Sequence, residues 1–145
     1  MRTLLFQQTN VVISWDDHGW LYVDWIGMQS LSDLKAGSDQ LVRLLQSKSA
    51  DSVLNDNTRA DGIASEAAEW LGRDWFPRMR RTGLQRFAWV RSPTGLTDVV
   101  IESTLAAAPP GIAHMFWTVG EAEAWLKWSA SMAMKRKSGR ITLPP

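Results

Sequence analysis

The chain has 145 residues, 45% of them hydrophobic and 21% charged, with sixteen basic side chains against fifteen acidic ones. That is one ordinary domain with enough apolar mass for a core, and its near-neutral charge argues against a dedicated nucleic-acid binder. There is no cysteine, which excludes disulfide scaffolds, cysteine nucleophiles and thiolate metal sites.

The first apolar run, Leu4-Leu5-Phe6, reads as a short strand or a lead-in. Gln7, Gln8, Thr9 and Asn10 cut it off too soon for a signal-peptide core, and no later stretch reaches transmembrane length, so the cytoplasm is the expected compartment. Residues 11–15 are β-rich, and Asp16, Asp17, His18 and Gly19 form a turn cluster. In residues 20–27, Trp20, Tyr22 and Asp24 alternate with Leu21, Val23 and Trp25. The two runs and their turn predict an antiparallel hairpin.

Residues 30–47 are predicted to be a helix capped by Ser30, with Leu31, Leu34, Leu41, Leu44 and Leu45 on one face. Gly37 weakens its interior by about 1 kcal/mol relative to alanine. Residues 51–56 read as a short strand running into a polar loop, 57–62. A helix follows over 63–71, closed by Gly72, and Pro77 opens a second helical turn that ends at Gly83. Residues 86–91 alternate as a strand, 92–95 form a loop, and 97–108 read as a helix stopped by Pro109-Pro110-Gly111. A strand over 112–119 and a helix over 120–128 complete the pattern. Strands alternating with helices call for parallel pairing through right-handed crossovers. The expected architecture is a single α/β domain over 1–128 with a mixed four- to five-stranded sheet, followed by a basic tail over 129–145.

Three segments give the chain a family resemblance. They are Val53-Leu54-Asn55-Asp56-Asn57; Trp70-Leu71 with Trp75, Pro77 and the Gly83-Leu84 step into Phe87-Ala88-Trp89-Val90; and Phe116 and Thr118 before Glu121-Ala122-Glu123-Ala124-Trp125-Leu126. Together they resemble the STAS-like (SpoIIAA-like) superfamily, within it a group of small uncharacterised bacterial proteins. The resemblance implies a mixed sheet built from successive β/α turns, and a regulatory or protein-binding role rather than a reaction. In the anti-sigma-factor antagonists of this superfamily a kinase phosphorylates a hydroxyl residue just after an Asp. Asp56 stands in the acidic place and Thr58 in the hydroxyl place. Asn57 replaces a usual Ser, and Arg59 a usual Gly. A phosphate on Thr58 would add about two negative charges near Arg59.

No constellation for catalysis emerges. Asp16-Asp17 is turn chemistry, Glu66 and Glu69 share a helix face with Arg73 four residues after Glu69, and Glu121 and Glu123 favour the first turn of the last helix. There is no GxSxG elbow, phosphate loop or HExxH motif. The two histidines, His18 and His114, have no partner at metal-ligand spacing, so neither a metal nor a cofactor is expected.

Two features invite a partner. Arg73, Arg78, Arg80 and Arg81 surround the middle helix, but the sharper asymmetry is at the end. Lys127, Lys135, Arg136, Lys137 and Arg140 follow Glu123 with no further acid, leaving eleven cations against fifteen acids before residue 127, a net of −4. The tail residues Lys135, Arg136, Lys137 and Arg140 are a candidate basic arm for an acidic partner. Alternatively, Met132 and Met134 beside Trp128 extend the last helix as an amphipathic segment suited to dimer contacts.

The second feature is nine tryptophans against one tyrosine. Trp70, Trp89, Trp117 and Trp125 fall on elements expected to face the core or its rim. Trp15, Trp20, Trp25 and Trp75 are the candidate partner or ligand surface, since indole is large and its N–H needs an acceptor. The expected function is a non-catalytic bacterial regulatory domain that binds a protein or a second copy of itself. The alternative is a carrier with a tryptophan-lined pocket for a small apolar ligand or lipid.

Overall fold

A computed structural model describes residues 1–94, 102 and 111–139. The described chain runs β1 (Arg2–Gln8), β2 (Val11–Asp16), β3 (Trp20–Gln29), α1 (Leu31–Lys48), β4 (Ser52–Ile63), α2 (Ser65–Trp70), a π turn (Leu71–Trp75), α3 (Phe76–Arg81), β5 (Arg86–Val90), β6 (Ala113–Phe116) and α4 (Val119–Lys137). All six strands form one sheet in sequence order. The first three are antiparallel, and β3 to β6 are parallel. The sixth strand is β1, which the sequence left as a strand or lead-in. It pairs with β2 from Arg2 opposite Asp16 to Gln8 opposite Val11.

The period-two alternation in β3 sorts its side chains between two cores. Leu21, Val23 and Trp25 join Val11, Ile13, Val53, Phe87 and Trp89 against Leu34, Leu41 and Leu45 of α1 and Trp75, Phe76 and Met79 of the middle helix. On the other face Trp20, Leu54, Ala88 and Val90 meet Ala122 and Leu126 of α4. The central strands are therefore buried on both faces, as parallel strands usually are. The Asp16-to-Gly19 turn closes by a bond from the Gly19 N–H to the Asp16 carbonyl (2.9 Å), and Gly19 has φ of +110°, which a side chain would strain.

Four sequence expectations change. Residues 57–62 are not a loop: β4 continues through them to Ile63, because β3 is ten residues long and offers a partner the whole way. Register shifts between Asp24 and Ile26 and between Gly27 and Met28 mark the bulges that absorb the extra β4 residues. Gly72 does not close the middle helix. The Phe76 N–H bonds the Leu71 carbonyl five residues back, so the chain passes through a π turn into Pro77 without a break. The last helix does not stop at Trp128 but runs to Lys137, so residues 129–137 are its C-terminal half rather than a separate tail. Trp117, expected to face the core or its rim, is 71% exposed. The helix expected over 97–108 and the basic residue Arg140 lie outside the described residues.

Candidate interaction site at the carboxyl edge of the sheet

In open α/β sheets, ligands and partners are met beyond the carboxyl ends of the parallel strands. Here that edge is built from the ends of β3 and β4, the residues after β5, and the β6-to-α4 junction. Asp56 lies within it, only 4% exposed. Its Oδ1 accepts the Thr58 backbone N–H at 2.9 Å, and its Oδ2 accepts the hydroxyl of Tyr22 on the neighbouring strand. Burial, reinforced by that carboxylate, pushes the Tyr22 phenol well above its ordinary value. The phenol therefore stays a neutral donor.

Behind Tyr22, the Arg2 guanidinium sits 3.5 Å from the ring centroid. Arg2 also donates to Asp16 (3.1 Å) and to Glu123 (2.9 Å), so β1, β2, β3 and α4 are tied together at one cation. Arg59 is the exposed counterpart. It donates to both carboxylate oxygens of Asp24, at 3.3 and 2.5 Å, and that carboxylate raises the Arg59 pKa. Asn57 points inward, donating to the Val90 carbonyl (3.1 Å), whereas Thr58 is exposed and its hydroxyl has no partner among the described residues.

Two more features complete the edge. Ser92 donates to the Ala60 carbonyl (3.0 Å), bracing the bulged part of β4 against the chain leaving β5. The exposed Trp117 carries the Arg91 guanidinium 4.3 Å from its ring, immediately before the Thr118–Glu121 capping box that starts α4. Asp56, Thr58 and Arg59, expected together in a loop, are thus together on a rigid, bulged strand. Sequence reasoning missed Tyr22 as the partner of Asp56. The available signal was weak: a lone tyrosine in the third residue of the hairpin's second strand, with no indication of which strand lies beside it.

The four candidate surface tryptophans do not form an open patch. Trp20, Trp25 and Trp75 are 2%, 3% and 1% exposed, and Trp15 is half-buried. Their packing explains it. The Trp25 Nε1 donates to Asn55 Oδ1 (2.8 Å), Trp75 Nε1 donates to the Ser38 carbonyl (3.2 Å), and Trp20 lies under the His18 ring. Trp25, Trp75 and Trp89 do line one internal cavity, but its volume is about 30 Å³, room for a water or two and not for an acyl chain. The large apolar side chains that do reach solvent include Trp117 and Trp128. Of the basic arm, Lys135, Arg136 and Lys137 form the last turn of α4, where cations complement the helix dipole. Among the described residues no group of acids and histidines is placed to hold a metal, and no helix is long and apolar enough to cross a membrane.

The anti-sigma factor antagonist SpoIIAA in its unphosphorylated form is similar over 88% of this chain and 98% of its own, with a TM-score of 0.52 and 12% sequence identity. The fold is STAS-like. A second structure, of an uncharacterised DUF3478-family protein with a SpoIIAA-like fold from Shewanella loihica PV-4, covers 87% of this chain and 95% of its own, at a TM-score of 0.49 and 18% identity. No protein-family model and no curated protein matches the sequence. The STAS-like fold accounts for the three segments of resemblance, which fall on β4, on the middle helix with β5, and on the β6–α4 junction.

Proposed function

We propose that this chain is a non-catalytic regulatory domain that binds a protein partner through the carboxyl edge of its sheet. The observation that carries the reading is the arrangement at β4. A fully engaged Asp56 fixes the backbone beneath an exposed Thr58, and Arg59 stands beside it. Exposed Trp117 supplies the apolar anchor such a surface needs, since partner surfaces are enriched in aromatic and arginine side chains. SpoIIAA, of the same fold, is an antagonist of an anti-sigma factor and is described in an unphosphorylated form. A phosphate on Thr58 would compete with Asp24 for Arg59 and reverse the local charge, which is the action expected of a switch.

The test is affinity capture from the source cells, followed by reconstitution with the purified captured protein in a calorimeter. Arg59→Ala and Trp117→Ala are each expected to weaken binding at least tenfold, while Lys48→Ala, at the far end of α1, leaves it unchanged. Equal affinity for all three variants would overturn the reading. The switch is tested separately: Thr58→Glu should alter partner affinity and Thr58→Ala should remove a phosphate signal in cells, and failure of both dismisses it.

A further inference from the structure

We propose that the groove between the β2–β3 turn and the C-terminal half of α4 binds a phosphate monoester carried on a small molecule. It lies at the amino edge of the sheet, opposite the interaction edge, and it stands or falls independently of the function proposed above. The groove has a volume of about 530 Å³, within the range of small-ligand clefts. His18 forms one wall. Lys127, Ser131 and Lys135, spaced four residues apart on α4, form the other.

The imidazole is held before any ligand arrives. Its Nδ1 lies 2.8 Å from Asp16 Oδ1, and its ring stacks on Trp20 with centroids 5.4 Å apart and planes 16° from parallel. Asp16 is itself fixed, its side chain 7% exposed, by the His18 backbone N–H (2.9 Å) and by Arg2 (3.1 Å). A carboxylate on Nδ1 makes that nitrogen the protonated one and leaves Nε2 for the groove. On the facing helix, neither Lys127 nor Lys135 has an ion pair among the described residues, and no acid follows Glu123. The Ser131 hydroxyl likewise makes no hydrogen bond among the described residues.

The remaining charges around the turn are spoken for. Glu123 and Asp16 are bound to Arg2, and Asp17 sits 3.9 Å from the N-terminal ammonium. Two lysines without an ion pair among the described residues and one imidazole therefore face the groove, and the one carboxylate in contact with that imidazole, Asp16, is shared with Arg2. A phosphate monoester, with a second pKa of about 6, matches this set in charge and in its acceptor oxygens. A lipid surface fits less well. Trp128 and Arg136 line a different groove, with Trp125 and Arg86, so the apolar and basic residues of α4 do not divide between two faces as a membrane-lying helix requires.

The chain has only two histidines, so their proton resonances resolve the site directly. The pH titration of each imidazole is followed in inorganic phosphate, in sulfate at equal ionic strength, and with vesicles containing phosphatidic acid. Phosphate is expected to raise the His18 midpoint by at least half a unit, saturably, and to leave His114 unmoved. Lys127→Ala and Lys135→Ala should each weaken the apparent phosphate affinity at least threefold, with the near-ultraviolet dichroism of the tryptophans retained as proof of folding. Four results would overturn the proposal: parallel shifts of both histidines, an equal response to sulfate, lysine variants that bind phosphate as the parent does, or a response to vesicles with none to free phosphate.

Discussion

Tyr22 is the only tyrosine in the chain, so phenolate absorbance reports this one side chain. The unfolded chain ionises it near pH 10. In the folded protein, burial and the hydrogen bond to Asp56 raise that value well above 10. A group whose folded pKa lies above its unfolded one contributes stability that is fully present below the unfolded pKa and is lost as pH rises beyond it. The pair should therefore stabilise the fold throughout the neutral range and weaken it from about pH 10 upward, with phenolate appearing only as the protein unfolds. Tyr22→Phe isolates the hydroxyl. The Arg2 guanidinium, 3.5 Å from the ring centroid, keeps an aromatic face to sit on, and Asp56 keeps the Thr58 N–H. What is lost is one hydrogen bond to a buried carboxylate, about 1.5–3 kcal/mol. Urea unfolding at neutral pH should show a loss of about 2 kcal/mol, and the decline in stability from about pH 10 should become shallower. Reversible ionisation of Tyr22 near pH 10 in the folded protein, or a Phe variant as stable as the parent, would refute the reasoning.

Gly37→Ala should destabilise despite improving helix propensity by about 1 kcal/mol: the new Cβ would lie 2.9 Å from Trp25 Cη2 and 3.1 Å from Val11 Cγ1, both in the core, and overpacking costs about 1–3 kcal/mol. In a Trp25→Phe background the same change should become less harmful or favourable, as a urea double-mutant cycle would show. Ser30→Ala removes the bond from the Asp33 N–H to the Ser30 Oγ (3.1 Å) and should cost about 1 kcal/mol of thermal or urea stability. For Asp16, burial pushes the carboxyl up, but hydrogen bonds from His18 and Arg2 outweigh it and bring it below its ordinary value. Its contribution is thus present above about pH 4 and lost as pH falls through the lowered value, so Asp16→Asn should be less stable at neutral pH and lose less stability on acidification.

The hairpin and α1 were legible because local and global preferences agree there. Ser30 caps, the leucines repeat at helical spacing, and the turn contains the glycine its φ requires. The far half of β4 was not legible because Asn57, Asp61 and Gly62 are poor strand formers. Their backbone groups pair with a β3 that is simply long enough, a long-range fact that no local window contains. The π turn was hidden for a related reason. Gly72 and Pro77 look like punctuation, yet Trp75 anchored to the Ser38 carbonyl fixes the segment between them against α1. At the site, the sequence pointed to Asp56, Thr58 and Arg59 through the resemblance alone. The hydrogen bond that makes Asp56 rigid comes from a strand thirty-four residues earlier.

The tryptophans show what composition can and cannot carry. Hydrophobicity predicts burial for any indole, so position decides, and position depends on where strands end. Trp25 and Trp75 face the thick core because α1 and the middle helix cover that side of the sheet. Trp117 escapes it because β6 ends at Phe116, one residue too early to carry the indole inside. The charge division follows the same logic. Lys135, Arg136 and Lys137 occupy the last turn of α4, where the helix dipole favours cations. Lys127 lies mid-helix, four residues after Glu123, whose carboxylate is taken by Arg2 at 2.9 Å. Its exposed ammonium is left without an ion pair among the described residues on the wall of the groove beside His18, where the phosphate proposed above would meet it.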